Sequence, residues 1–126
     1  MSVQVLGSTS STYSLGIVAP AGRLIFISGT IAVDEKGRVI APGNLEKQAR
    51  FIFGEIGKLL AEAGANLSHV VKLTTFVTDM TQYSRYAIVR KEVFGDGPYP
   101  ASATVGVAGL VYEGLVVEIE AIAVVP

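Results

Sequence analysis

Cysteine is absent from the 126 residues, which excludes disulfides, thiolate nucleophiles and cysteine metal sites and is compatible with a cytoplasmic location. Histidine occurs once, at position 69, so neither a zinc site nor a paired-histidine acid and base is expected, and with no elbow around a serine no nucleophilic triad is expected either. No apolar run approaches the ~18 residues of a membrane-spanning helix, and the N-terminus lacks a basic flank followed by an apolar block; no membrane association and no signal peptide are expected. An excess of one charge is also missing. Lys and Arg total 10 against 11 Asp and Glu, with both signs scattered, so there is no electrostatic footprint for a polyanion and nucleic acid is not an expected partner.

What is present is apolar material. Hydrophobic residues make up 50% of the chain, mean hydropathy is +0.50 and only 17% of residues are charged, more apolar surface than a domain of this length usually hides alone. One domain spanning 1–126 is expected, with part of its apolar surface meeting a sister subunit.

The first 30 residues carry three β-type runs, Val3 to Leu6, Ser14 to Val18 and Arg23 to Thr30, the last following the turn signal Pro20, Ala21, Gly22. With a polar turn at Asp34 to Gly37 leading into Arg38 to Ile40, this region reads as a meander. From Asn44 to Ala63 apolar residues recur every three or four positions, with Asn44 as N-cap and Gly64 at the C-terminal stop, which predicts a helix covering a sheet. Val70 to Thr78 returns to period two. A second helix is predicted from about Thr81 to Phe94, with Tyr83, Tyr86, Ala87, Arg90 and Val93 at helical spacing, stopped by Gly95, Gly97 and Pro98. Two strands close the chain. The order suits an α+β domain with both helices on one face of a single sheet, its other face covered by further copies.

Two stretches carry candidate chemistry. In "YPASATVGV", residues 99 to 107, Ser102, Thr104 and Gly106 form a small, polar, uncharged face that could floor a pocket. In "VVEIEAIAVV", Glu118 and Glu120 project from one side of a strand otherwise lined by Val116, Ile122 and Val124. The bland reading is that both acids pair with Lys or Arg or reach solvent. The sharper reading places one of them in an intersubunit cleft, where partial desolvation suits it to position or deprotonate a water molecule. Tyr13, on a polar approach from Ser8 to Thr12, either binds a ligand or caps the core edge. Gly29, in "SGT" at 28 to 30, reads as a bulge or close backbone approach rather than a phosphate cradle. Arg85, Arg90 and Lys72 read as solvated, and His69 as a turn residue before its strand.

Together the runs "YS" at 13, "LIFISGTI" at 24, "NLEKQARFIFGEIGKLLAEAGANLSHVVKLTTFVTDM" at 44, "PASATVGVAGL" at 100 and "VEIEAIAVV" at 117 resemble the YjgF/Rid family, also called endoribonuclease L-PSP, over nearly the whole chain. The resemblance implies a chorismate-mutase-like fold, one mixed sheet with two helices on one face, assembled as a homotrimeric barrel with a small-molecule ligand in each intersubunit cleft and no cofactor. It implies Glu118 as the water-positioning acid and Tyr13 as a ligand-side tyrosine, with Gly29, Thr30, Ser102, Ala103 and Thr104 around the ligand.

The chain also departs from that pattern. In the deaminating branch of the family the third residue of the motif corresponding to 100–104 is an arginine that clamps the carboxylate of a 2-imino acid; here it is Ser102. Ser11 and Thr12 replace a Gly-Pro, Thr30 a glutamine, Ala87 an asparagine and Gly109 an arginine. The expectation is an enamine or imine deaminase acting on a metabolite other than simple 2-imino acids, unless Arg23, Arg85 or Arg90 of a neighbouring subunit supplies the guanidinium. The alternative is a non-catalytic small-molecule-binding homotrimer of the same fold. Ribonuclease activity ranks last, for want of a basic stripe.

Overall fold

The computed structural model describes residues 3–10 and 12–126, with side chains described for 3–7 and 12–126. Ser11, one of the departures noted above, lies outside the described residues. Six strands, β1 (Gln4–Ser10), β2 (Tyr13–Val18), β3 (Arg23–Thr30), β4 (Val70–Val77), β5 (Ala101–Gly106) and β6 (Val117–Val125), form one sheet in the order β1-β2-β5-β4-β6-β3. Two helices, α1 (Leu45–Glu62) and α2 (Tyr83–Phe94), complete the fold. The sheet is mixed: β5 runs parallel to β2 and β4, and the other pairs are antiparallel. This is the expected α+β architecture. No helix among the described residues is long and apolar enough to cross a membrane.

One detail of the expected topology is wrong. The N-terminal region is not a meander, because β3 leaves β2 and pairs antiparallel with β6 at the opposite edge. A turn signal such as Pro20 to Gly22 reverses the chain but does not choose the partner; that is decided by which strand offers a matching buried face. The route passes close over the end of β6. A Cβ on Gly22 would lie 2.3 Å from the Val125 carbonyl oxygen, so only glycine fits there. Residues 8 to 10 likewise belong to β1 rather than to an irregular approach.

The helices form where the periodicity placed them. The Asn44 side chain accepts from the Lys47 N–H as N-cap of α1, and Gly64 beyond its end sits at φ 73. α1 buries Leu45, Ala49, Ile52, Phe53, Ile56 and Leu60. Opposite them lie Leu73 and Val77 of β4 and Val117, Ile119, Ala121 and Ala123 of β6, all in the same core. A single 3-10 turn, Met80–Gln82, capped by Asp79, leads into α2, and His69 closes another, Leu67–His69, just before β4, as expected.

The alternation in β4 and β6 divides the sheet into two unlike faces. Thr75 and Ile119 pair on the helix-covered side; Lys72 and Ile122, Thr74 and Glu120, and Phe76 and Glu118 pair on the other. That second face is bare. Phe26 is 70% exposed, Leu24 61% and Val105 41%, the uncovered sheet surface that the hydropathy anticipates.

Candidate functional site

The parallel register of β4 and β5 sets Ser102 beside Leu73 and Thr104 beside Thr75, on the helix-covered side of the sheet. β2 meets β5 at a single residue pair, Ser14 with Ala101, so beyond that point the strands part and the polar positions of β5 open into a hollow of about 310 Å³. Its walls are Tyr13, Met80, Tyr83, Arg90, Ser102 and Thr104. The small side chains of β5 do floor a pocket, as expected.

Arg90 is the residue the sequence reading misplaces. Far from being solvated it is 1% exposed. Its Nε donates to Thr12 Oγ1 at 2.9 Å, Nη1 to Ser102 Oγ at 3.2 Å and Nη2 to the Tyr83 hydroxyl at 2.8 Å. The guanidinium carbon also lies 5.4 Å from the ring centre of Tyr13, 5.6 Å from that of Tyr83 and 5.1 Å from that of Tyr86. Taking such a charge out of water costs several kcal/mol in general, and aromatic faces return about 0.5–2 kcal/mol each. The spacing carried the signal: Tyr83, Tyr86 and Arg90 share one stripe of α2, and Tyr86 is fully buried. Arg85, by contrast, is exposed as expected, and its Nη1 meets Glu46 at 3.3 Å.

Tyr86 anchors this corner. Its hydroxyl accepts from Thr75 Oγ1 at 2.7 Å and its ring stacks on Phe53 at 6.4 Å. Burial, the largest influence on it, pushes the phenol above its ordinary value despite the Thr75 bond and the Arg90 charge. Tyr86 is therefore neutral at physiological pH and supplies no counter-charge. The premise that the pocket floor holds no guanidinium is thus corrected: one arrives from α2 of the same chain, and with it goes the physical ground for excluding 2-imino acids.

Glu118 stands elsewhere. It projects from the bare face of β6, half-buried, and makes no ion pair among the described residues; Glu120, exposed, does not either. The register of β3 against β6 slips between Ile27 and Thr30, and Gly29 lies in that bulge. A Cβ on Gly29 would fall 2.1 Å from Glu118 Oε2, so the missing side chain is what gives the carboxylate its room. Thr30 donates its hydroxyl to the Ser28 carbonyl at 2.9 Å across the same bulge. Both readings of Gly29 as bulge and close approach hold.

The predicted site residues therefore form two groups. Tyr13, Ser102 and Thr104 gather with Arg90 on the helix side, while Glu118, Gly29 and Thr30 gather on the bare side; exposed Ala103 also faces the bare side, opposite Thr74. One chain alone does not bring the groups together. No cluster of three or more His, Asp or Glu that could hold a metal occurs among the described residues.

A six-stranded mixed sheet with two helices on one face and a carboxylate set over a bulge glycine on the other defines a small α+β protein of the YjgF/Rid kind. The chain belongs to the endoribonuclease L-PSP family, whose model matches residues 7–125. It is 38% identical over 112 residues to the protein DfrA of Myxococcus xanthus, covering 89% of this chain and 84% of that one. It is 33% identical over 124 residues to the 2-iminobutanoate/2-iminopropanoate deaminase of Mus musculus, covering 96% and 90%. The crystal structure of RidA from an Antarctic Psychrobacter superposes with a TM-score of 0.75 at 30% identity, covering 99% of both chains.

Proposed function

We propose that the protein is an imine or enamine deaminase working as a homotrimer, in which Glu118 steers the water that hydrolyses a small substrate. The observation that carries this reading is the Glu118 carboxylate: half-buried, without a cation among the described residues, and given space by Gly29. An acid so placed can accept a proton from water. The water oxygen adds to the electrophilic carbon of the C=N bond, the nitrogen takes up protons as the tetrahedral carbinolamine forms, and the C–N bond breaks to leave a carbonyl and ammonia. The names of the mammalian relatives point to the same chemistry.

In the trimer the bare face of one copy, with Glu118, Gly29 and Thr30, would pack against the β2–β5 side of the next, where the strands part and the hollow of Tyr13, Ser102 and Thr104 opens. That explains why each group is incomplete within one chain. The reaction calls for no cofactor.

The test is an assay in which 2-aminoacrylate and larger imines are generated in situ and carbonyl product is followed with and without the protein. Glu118→Gln, which keeps the shape and removes the base, is expected to lower the accelerated rate ~10²–10⁴-fold. No acceleration on any imine, or a Glu118→Gln variant as active as the parent, would sink the proposal.

A further inference from the structure

The proposed hydrolysis needs an acid as well as a base: Glu118 takes a proton from water, and the substrate nitrogen must gain protons before it can leave. The helix side of the sheet offers a donor. Tyr83 lines the hollow between β2 and β5, and its hydroxyl accepts from Arg90 Nη2 at 2.8 Å, while its own phenolic proton has no acceptor among the described residues. Arg90 is 1% exposed and its other bonds go inward, to Thr12, Ser102 and Tyr86. It sets a full positive charge directly behind the Tyr83 oxygen, and no carboxylate among the described residues pairs with that charge. The neighbouring phenols lack this arrangement. Tyr86 is fully buried and is not among the hollow's walls, and Tyr13 presents its ring to the guanidinium at 5.4 Å but accepts no hydrogen bond from it.

We propose that Tyr83 is the catalytic acid of the imine hydrolysis, delivering its phenolic proton to the substrate nitrogen, with Arg90 as the positioning residue that holds the phenol and balances the phenolate. In the first step the Glu118 carboxylate takes a proton from water, the water oxygen bonds to the C=N carbon, and the π pair moves to nitrogen, which takes the Tyr83 proton. The result is a neutral carbinolamine, a protonated Glu118 and a Tyr83 phenolate. In the second step Glu118 gives its proton to nitrogen, the phenolate removes the carbinolamine O–H proton, and the C–N bond breaks to leave a carbonyl and ammonia. Both residues return to their starting states. Negative charge on the Tyr83 oxygen forms against a guanidinium that is already desolvated and fixed by its partners, so little has to reorganise when the proton moves. A buried arginine without a counter-ion thus gains one for the lifetime of the carbinolamine. The inference rests on the deaminase reading and on the packing that sets Glu118 of one copy against the hollow of the next.

The test compares steady-state imine hydrolysis by the full-length parent, by Tyr83→Phe, and by a protein carrying O-methyltyrosine in place of Tyr83, which keeps the oxygen that Arg90 bonds but has no proton to give. Tyr83→Phe is expected to lower kcat ~10²-fold with KM little changed, a split that a merely loosened pocket would not produce. The O-methyltyrosine protein should lose kcat to a similar extent while keeping the parent's melting temperature, and it decides the matter should Tyr83→Phe fail to fold. Either variant, folded and with the parent's kcat while Glu118→Gln is impaired, would overturn the inference and leave the deaminase reading standing. A loss carried by KM alone would do the same. A parent inert on every imine would remove both together.

Discussion

A guanidinium does not give up its proton when buried, so an interior arginine must be surrounded by acceptors and polarisable faces or be matched by an anion. Arg90 has the former in Thr12, Ser102, Tyr83 and three rings, and lacks the latter among the described residues. Two of its acceptors, Thr12 before β2 and Ser102 of β5, are joined through it into one hydrogen-bonded arrangement. Gly29 is the counterpart on the other face. Gly29→Ala would push a methyl group into Glu118 Oε2, and the carboxylate, at the end of a flexible side chain, would swing aside rather than the strand unfolding. The expected result is a turnover loss of at least about tenfold with little change in melting temperature, read by parallel kinetic and thermal measurements. A variant with full activity would show that the carboxylate's position over the bulge is unimportant.

At the scale of elements, the helices were legible because their signals are local. Asn44, the apolar stripe of α1 and Gly64 act within a few turns of one another. Gln48 was not legible: a polar residue on the apolar stripe, it is fully buried. Its amide donates to the carbonyls of Ile40, Ala41 and Gly114 and its oxygen accepts from the Val116 N–H, tying the segment before α1 to the approach to β6. Those partners lie as far as 68 residues away, which no window of sequence reveals. Gln48→Leu keeps the volume but leaves the part-buried Ile40 carbonyl and Val116 N–H without the Gln48 amide, while the Ala41 and Gly114 carbonyls keep bonds from Asn44 and Gly43, so a loss of about 1–3 kcal/mol is expected in denaturant unfolding. An unchanged unfolding midpoint would mean that water replaces the amide. The same locality explains the misplaced β3, whose strand character is written in its own residues and whose partner is not.

For the whole molecule, the bare face is the governing feature. Leu24, Phe26 and Val105 form an exposed apolar surface, which the proposed packing against further copies would cover. Phe26→Asp is expected to convert the assembly to monomers in analytical ultracentrifugation and to abolish imine hydrolysis with it, while the circular dichroism of the fold persists. A variant that stays oligomeric and active would place the interface elsewhere. Residue order by itself determined the α+β class, the two helices, the strands, the side of β6 that carries Glu118 and the surplus of apolar surface, because periodicity and capping are properties of neighbouring residues. Only the tertiary structure decided that β3 joins β6, that Gln48 braces distant loops and that Arg90 turns inward to Ser102. Each of those depends on groups 12 to 102 positions apart being packed together, and the energy of a buried charge or amide is set by what surrounds it in space.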